Sequence, residues 1–186
     1  MRANYTEYFY PFYGSKAFTF KNLKEALEVI GGLSDTKKMD CPSYGIPADL
    51  CITGSKLRSV KGSTCESCYA YFKGMYRFDN VRDAQFRRYE TLQNEDREKW
   101  ISAFVYIINK RNEKYFRWHD SGDLQSVDHL KRIAEIAILT PNCKHWLPTR
   151  EAKIVKEFLD NYECPQNLCI RISDTMIDAK KPVSYL

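Results

Sequence analysis

The chain has 186 residues, of which 44% are apolar and 14% aromatic, and this is enough to bury one substantial core. Its 29 Lys and Arg against 24 Asp and Glu leave a net charge of +5, which permits a nucleic-acid or phosphate-bearing partner without requiring one. No apolar run approaches the roughly 18 residues that cross a membrane, and the first residues lack the apolar stretch of a secretory signal. We therefore expect no membrane contact and a cytoplasmic protein with reduced thiols.

The first third of the chain reads as mostly irregular. Residues 1–33 are predicted to form an aromatic N-terminal arm and one short helix: residues 1–15 are rich in Tyr and Phe, residues 17–20 are a strand candidate, and residues 23–30 are helical up to a Gly-Gly pair. Residues 34–70 show no apolar periodicity, yet they contain four of the seven cysteines. A loop of this length is unusual in a compact domain unless it is functional or held by something other than a core.

The second half alternates between helical and extended patterns. Helices are predicted over residues 81–92, 96–110 and 151–159, together with one capped by Ser126 whose apolar face runs from residue 127 to 137; strands are predicted over residues 115–119, 145–148 and 168–172. A helix between successive strands indicates right-handed parallel βαβ units. We therefore predict that residues 34–186 form one α/β domain, a partial (β/α) barrel or parallel sheet preceded by a long cysteine-bearing loop.

Polar residues follow each predicted strand at its carboxyl end, the edge that carries function in parallel sheets. His119, Asp120 and Arg150 are the candidate catalytic residues, while Ser121, Gly122, Asp123, Arg171 and Ser173 are candidates for holding a small cofactor or substrate. The structural alternatives are a glycine turn, a hydrogen-bonded histidine and an inward ion pair of Arg171. The third histidine of this half, His145, lies at a strand start and is predicted to be structural.

Seven cysteines in a reduced chain need an explanation other than disulfides. Cys65 and Cys68 form a C-x-x-C turn, and Cys51 from a separate loop supplies a third thiol. Zinc would recruit Cys41 as a fourth ligand, whereas an iron–sulfur cluster could use three cysteines and leave one iron open. The spacing leaves both metals, and ordinary reduced cysteines, as alternatives.

The neighbouring charges and the remaining thiols complete this interpretation. Lys56, Arg58 and Lys61 are expected to lower the pKa values of the nearby thiols. The cysteines at 143, 164 and 169 show no ligand spacing, and Cys169, within a predicted strand, is expected to lie in the core.

Five segments, residues 43–48, 53–57, 65–70, 117–124 and 146–150, together resemble the bacteriophage gene product 88 family. The Cys-x-x-Cys-Tyr-Ala element is also similar to phage and bacterial proteins regarded as radical S-adenosylmethionine (SAM) enzymes or their relatives. This resemblance implies a 4Fe–4S cluster on Cys51, Cys65 and Cys68, SAM on the open iron, and Tyr69 and residues 121–123 beside the cofactor. It also implies location in the cytoplasm of the phage-infected host cell.

Two functions follow as hypotheses. The first is a radical SAM-like enzyme that acts on a nucleic acid or a nucleotide-like substrate. The second is a non-enzymatic module, stapled by zinc or a cluster, that binds nucleic acid or protein. In the second hypothesis nucleic acid would contact a basic stretch interleaved with aromatic residues, which contains Arg77, Arg82, Arg87 and Arg88. The structural alternative is that this stretch is a solvated helix face.

Overall fold

A computed structural model describes residues 18–35, 39–71 and 73–178. The predicted aromatic arm over residues 1–15 lies outside the described residues. Residues 18–20, the described part of the strand candidate at 17–20, form no strand, so that prediction is wrong for them. Among the described residues, no helix combines the length and apolar character needed to cross a membrane.

Six helices and four strands make up the described chain. The helices are α1 Leu23–Ile30, α2 Ile52–Leu57, α3 Asp79–Asn94, α4 Arg97–Arg111, α5 Val127–Leu139 and α6 Ala152–Asn161. The strands are β1 Ser43–Tyr44, β2 Tyr115–Trp118, β3 Lys144–Thr149 and β4 Leu168–Ile172. Short 3₁₀ turns occupy Ala48–Leu50 and Gly74–Arg77.

The four strands form one parallel sheet in chain order, β1-β2-β3-β4. This confirms the predicted α/β fold. Right-handed crossovers between strands that follow one another in this order place every connecting helix on the same face of the sheet, as in a segment of a (β/α) barrel. Helix α4 packs against α1 and α5, and α5 packs against α6, so the helices form a continuous layer.

Local sequence signals set most helix ends. The side chains of Asn22, Asp96 and Ser126 each accept a hydrogen bond from the backbone three residues on and so begin α1, α4 and α5. Gly31 ends α1 at a φ of 75°, a left-handed conformation that favours glycine. By contrast, α3 begins after Phe78 without a side-chain cap, two residues before the predicted start at residue 81.

An aromatic cluster joins the helix layer to the sheet. The Phe104 ring of α4 lies 5.0 Å from that of Tyr44, 5.9 Å from that of Phe116 and 5.1 Å from that of Trp118, measured between centroids. All four side chains are at most 1% exposed. Because edge-to-face and tilted aromatic pairs add to simple burial, this cluster anchors α4 on β1 and β2.

The segment predicted to be irregular contains β1 and α2, which the sequence patterns missed. Strand β1 has two residues and no alternation long enough to detect, and it is held by pairing with β2 and by the Tyr44 hydroxyl, which donates to the Arg88 carbonyl at 2.8 Å. Cys169 is exposed rather than buried, because it lies on the face of β4 that no described helix covers. Its prediction as a core residue is wrong.

Candidate functional site at the carboxyl edge of the sheet

A cavity of about 220 Å³ opens where the strands end, and most of the predicted site residues line it. The predicted residues in its wall are Cys51, Cys65, Cys68, Tyr69, His119, Asp120, Gly122, Asp123, Arg150 and Ser173. Three strand ends and the cysteine-bearing segment therefore meet at one place, as the βαβ pattern predicted.

The thiols of Cys51 and Cys65 face each other across Gly54 of α2. A side chain carbon placed on Gly54 would lie 3.6 Å from the Cys51 sulfur and 3.4 Å from the Cys65 sulfur. Only a residue without a side chain leaves that space free, and Cys68 lines the same cavity. In the described chain, no three His, Cys, Asp or Glu side chains converge closely enough to hold a single metal ion.

Burial, rather than nearby charge, dominates the protonation of the Cys51 and Cys65 thiols. It raises the pKa of Cys51 to about 12 and also raises the pKa of Cys65. The Arg58 guanidinium lowers the pKa of Cys51 and Arg150 lowers that of Cys65, but both effects are smaller than that of burial. The expected lowering of the thiol pKa values by neighbouring cations is therefore wrong for Cys51 and Cys65.

Glu151, at the carboxyl edge of β3, fixes the segment that carries Cys51. Its two carboxylate oxygens accept hydrogen bonds from the Thr53 backbone N–H at 2.8 Å and the Thr53 hydroxyl at 2.7 Å. Both bonds satisfy donors in the first turn of α2, directly after Cys51. Glu151 is not among the predicted site residues, although its position after a predicted strand is a signal that could have found it.

The segment that carries Cys65 and Cys68 is bound to the chain that follows β4. Thr64 donates its backbone N–H to the Thr175 carbonyl at 3.0 Å and its hydroxyl to the Asp174 carbonyl at 3.0 Å. Ile177 in turn donates its N–H to the Gly62 carbonyl at 2.9 Å. Each of these hydrogen bonds is accepted by a backbone carbonyl and joins residues more than 100 positions apart. No local sequence pattern therefore predicts them.

Asp123 connects the end of β2 to the end of β3. Its Oδ1 accepts from the Leu124 N–H and the Thr149 hydroxyl, and its Oδ2 accepts from the Arg150 N–H at 2.9 Å. Burial raises its pKa to about 6, although the three hydrogen bonds oppose that shift. Since Oδ1 already has two donors, only Oδ2 retains a free lone pair for a ligand.

Arg150 is one of three arginines that line the cavity, together with Arg58 and Arg117. Its Nε donates to the Thr64 hydroxyl at 2.9 Å, which fixes the guanidinium beside Cys65. Within the described chain, Arg150 forms no ion pair. Its terminal N–H groups are therefore suited to a carboxylate or phosphate in the cavity.

His119 occupies a strained turn at the end of β2, with a φ of 57°. Its ring lies 5.3 Å from that of His129 of α5, and among the described residues neither ring has a hydrogen-bond partner. Burial, with a smaller contribution from Arg117, lowers the pKa of His119 to about 3. The imidazole is therefore neutral at physiological pH.

Asp120 lines both this cavity and a second, larger one of about 890 Å³. Its backbone carbonyl accepts from the Tyr69 hydroxyl at 2.6 Å and the Tyr76 hydroxyl at 3.2 Å, and its Oδ1 has no hydrogen-bond partner in the described chain. That oxygen packs against the Cα of Gly45, where any side chain would collide with it. Tyr69 thus lines both cavities, beside the C-x-x-C turn.

Three predicted site residues lie outside the lining of this cavity. Cys41 lines a different groove with Tyr115 and Trp146. Ser121 is buried, and its hydroxyl has no hydrogen-bond partner in the part of the chain that the structure describes. Arg171 points away from Ile170 and Ile172 as predicted, but it is exposed and forms no ion pair among the described residues.

The basic stretch before and within α3 mostly makes contacts inside the protein. Arg82 pairs with Asp49 at 3.4 Å. Arg88 is buried and donates to the Ser34 hydroxyl at 2.8 Å, and Arg87 donates to the Gly31 carbonyl. These contacts hold α3 against α1 and β1, which is a structural use of the charges.

The comparison with protein families gives one result. The family model described as Gene product 88 matches residues 14–185. The chain belongs to this phage gene product 88 family. The match includes every residue of the cavity wall described above. No curated protein and no solved structure matches this gene product 88 chain.

Proposed function

We propose that this protein is a radical SAM-like iron–sulfur enzyme whose cluster is held by Cys51, Cys65 and Cys68. The observation that carries the proposal is that these thiols share one cavity with polar groups from the ends of β2, β3 and β4. Structural metal sites are closed by protein ligands, whereas reactive ones keep an open position. Here three thiols face a cavity, and Cys41 lines a different groove, which favours the open kind.

The residues present fit such a group chemically. Thiolates are the ligands of iron–sulfur clusters, and the buried thiols would release their protons as the metal binds. A cluster with one open iron supplies one-electron chemistry to a molecule bound at that iron. The chain itself would bind the carboxylate or phosphate of that molecule through Arg150, accept one hydrogen bond at Asp123 Oδ2 and position an aromatic ring at Tyr69.

The proposed substrate is a nucleic acid or a nucleotide-like molecule. The net charge of +5 and the free guanidinium of Arg150 support an anionic substrate. His119, being neutral and buried, would act as a polar wall rather than as a proton donor. Asp120, whose Oδ1 is buried against Gly45, would form part of the cavity wall and hold the Tyr69 ring through its backbone carbonyl.

The test is metal and sulfide analysis of protein purified without oxygen. We expect a brown protein with about four irons per chain, and loss of iron in each of the variants Cys51→Ser, Cys65→Ser and Cys68→Ser. Cys41→Ser and Cys169→Ser are matched controls that should keep it. Reduced protein supplied with SAM should then release 5′-deoxyadenosine, and Arg150→Ala should weaken SAM binding.

A second function, a non-enzymatic module stapled by zinc or a cluster, is supported by a different observation. Residues 51–68 are attached to the rest of the chain mainly through hydrogen bonds of Thr53, Thr64 and Gly62, and none of their side chains belongs to the apolar core. A colourless protein containing zinc would favour this module. Four irons per chain without SAM cleavage would also overturn the enzyme and leave a structural or redox cluster.

A further inference from the structure

The sheet has a second face that no described helix covers, and its chemistry differs from that of the cavity. Tyr115 is 55% exposed and Trp146 is 43% exposed on this face. Lys144 and Arg171 are exposed beside them, and Arg117 is partly exposed. We name these five residues the open face.

The register brings these side chains into adjacent rows. Tyr115 of β2 lies opposite Lys144 of β3, and Arg117 lies opposite Trp146 one row further toward the carboxyl edge. In the next row Arg171 of β4 lies opposite Pro148, which lines the 220 Å³ cavity at the carboxyl edge of the sheet. Aromatic and cationic side chains therefore alternate along a path that ends at the proposed reaction site.

Charge distinguishes the open face from the helix layer. In the described chain none of its three cations forms an ion pair, whereas the layer on the other side pairs Arg97 with Glu135 and Arg132 with Asp128. A groove of about 430 Å³ crosses this face, and Asp40 is the single acidic residue among the described residues that line it. The Arg117 guanidinium carbon lies 4.8 Å from the Trp146 ring centroid, and its Nη1 donates to the Met39 sulfur at 3.0 Å.

We propose that the open face binds a single-stranded nucleic acid, with bases stacked on Tyr115 and Trp146 and phosphates held by Arg117, Lys144 and Arg171. Unpaired bases stack on exposed aromatic rings of a sheet, and unpaired cations attract the backbone. A duplex hides the faces of its bases and cannot use the rings in this way. Where the strand is the substrate of the metal site, this inference rests on the proposed function, because Arg117 lines both the groove and the cavity.

The tryptophans supply a direct probe. Trp100 and Trp118 are fully buried, so acrylamide and a stacked base can reach Trp146 alone among the three tryptophans of the chain. We expect acrylamide to quench about one third of the emission, in line with one exposed ring. Oligo(dT) and oligo(U) should quench the same fraction, and matched duplexes should not. Emission that acrylamide does not reach would overturn the proposal, since the ring would then be covered in the intact protein.

Binding itself is measured by the anisotropy of a labelled oligo(dT) of about 16 nucleotides. Trp146→Ala and Tyr115→Ala should each weaken binding by about 5- to 100-fold, and Trp146→Phe should restore most of it. Arg171→Ala should reduce the slope of log K against log salt by about 0.7. Lys153→Ala, which removes an exposed charge from α6, is the matched control and should change neither quantity.

The two proposals fail separately. Cys51→Ser removes a proposed cluster ligand and should leave oligo(dT) binding intact, because no residue of the open face is altered. Iron-containing protein that binds neither oligo(dT) nor oligo(U), or that binds equally well after Trp146→Ala and Tyr115→Ala, would overturn the open-face proposal alone. Metal-free protein that binds the strand would overturn the cluster alone.

Discussion

The two faces of the sheet differ completely, although the same strands supply both. In β3, His145 and Leu147 are buried at 1% and 0% exposure, whereas Trp146 between them is 43% exposed. In β2, Phe116 and Trp118 are buried and Tyr115 is exposed. The strand order explains the difference, because right-handed crossovers in chain order stack all the helices on one side.

This contrast is unusual for a parallel sheet, where helices normally cover both faces and strands are apolar throughout. The alternation of buried and exposed residues in β3 is the pattern expected of a half-solvated sheet. The two faces of this sheet therefore have different roles. The face under the helix layer provides stability, and the other, where the described cations form no ion pairs and the aromatic rings are exposed, is available for binding.

The largest expected effect is the loss of stability in acid, which comes from the buried face and its helix layer. Burial lowers the pKa of His145 to about 4 and that of His119 to about 3, and it lowers the pKa of His129 as well. As the pH falls below the unfolded pKa of about 6.5, the unfolded chain binds protons that the folded chain does not bind. Stability is therefore lost as the pH falls from about 6.5 toward about 4.

Each histidine should cost about 2 kcal/mol at pH 5 relative to pH 7.5. Asp123, whose pKa is raised to about 6, acts in the opposite direction and returns about 1 kcal/mol, because the folded state binds its proton more readily. We expect a net loss of about 5 kcal/mol in urea unfolding. A loss below about 2 kcal/mol would show that the histidines do not remain neutral in the fold.

The second prediction sets one tryptophan of each face against the other. Trp118→Ala should cost about 3–5 kcal/mol, because it empties a fully buried site and removes the indole N–H that donates to His145 Nδ1 at 3.2 Å. Trp146→Ala should change stability by no more than about 0.5 kcal/mol. Urea unfolding of both variants measures the difference, and equal losses would mean that the open face is also part of the core.

The sequence was most informative where side chains repeat with a regular period. Helix α1 and strand β4 have the predicted boundaries, and α5 begins after the predicted cap Ser126, because amphipathic periods and caps are local signals. The carboxyl-edge location of His119, Asp123 and Arg150 followed from topology alone.

The missed features depend on long-range contacts. Strand β1 has only two residues, and Glu151 and Thr64 act through partners at Thr53 and Asp174, which are distant in the sequence. Cys169 was assigned to the core because a strand residue between apolar neighbours cannot reveal which of its faces the helices will cover. The strand order decides which face the helices cover, and that order includes β1, which the sequence patterns missed.

The third prediction concerns the edge where the two faces meet. Gly122 has a φ of 74°, and a side chain there would collide with the backbone and side chain of Ile46. Gly32 has a φ of 93°, but within the described residues no atom beyond its two chain neighbours lies within 4 Å of such a side chain. Gly32→Ala should therefore cost about 1–2 kcal/mol through backbone conformation alone, and Gly122→Ala about 2–4 kcal/mol because crowding adds to it.

Gly122→Ala should also distort the cavity, because Ile46 donates its N–H to the Ser121 carbonyl at 3.0 Å and holds the turn beside the thiols. Iron content after anaerobic purification is the second measurement. Equal stabilities of the Gly122 and Gly32 variants would indicate that the turn can move away from Ile46, and that this edge is softer than the buried face.

The smallest effect is expected for the hydrogen bonds that join Thr53, after Cys51, to Glu151, after β3. Glu151→Gln keeps the shape of the side chain, but only its amide oxygen can accept a hydrogen bond. The two charge-assisted bonds from Thr53 therefore become one neutral bond from the Thr53 N–H and one in which the amide nitrogen donates to the Thr53 hydroxyl, at a cost of about 1 kcal/mol. Thr53 lies two residues after Cys51, so weaker hydrogen bonds at Thr53 should make the Cys51 thiol more accessible. We expect this thiol to react faster with a maleimide, as measured for each cysteine by mass spectrometry. Cys143, buried beneath the helix layer, is the internal control. If both thiols react faster, the variant loosens the whole fold. If only Cys51 reacts faster, the hydrogen bonds between Glu151 and Thr53 restrain the site and not the fold as a whole.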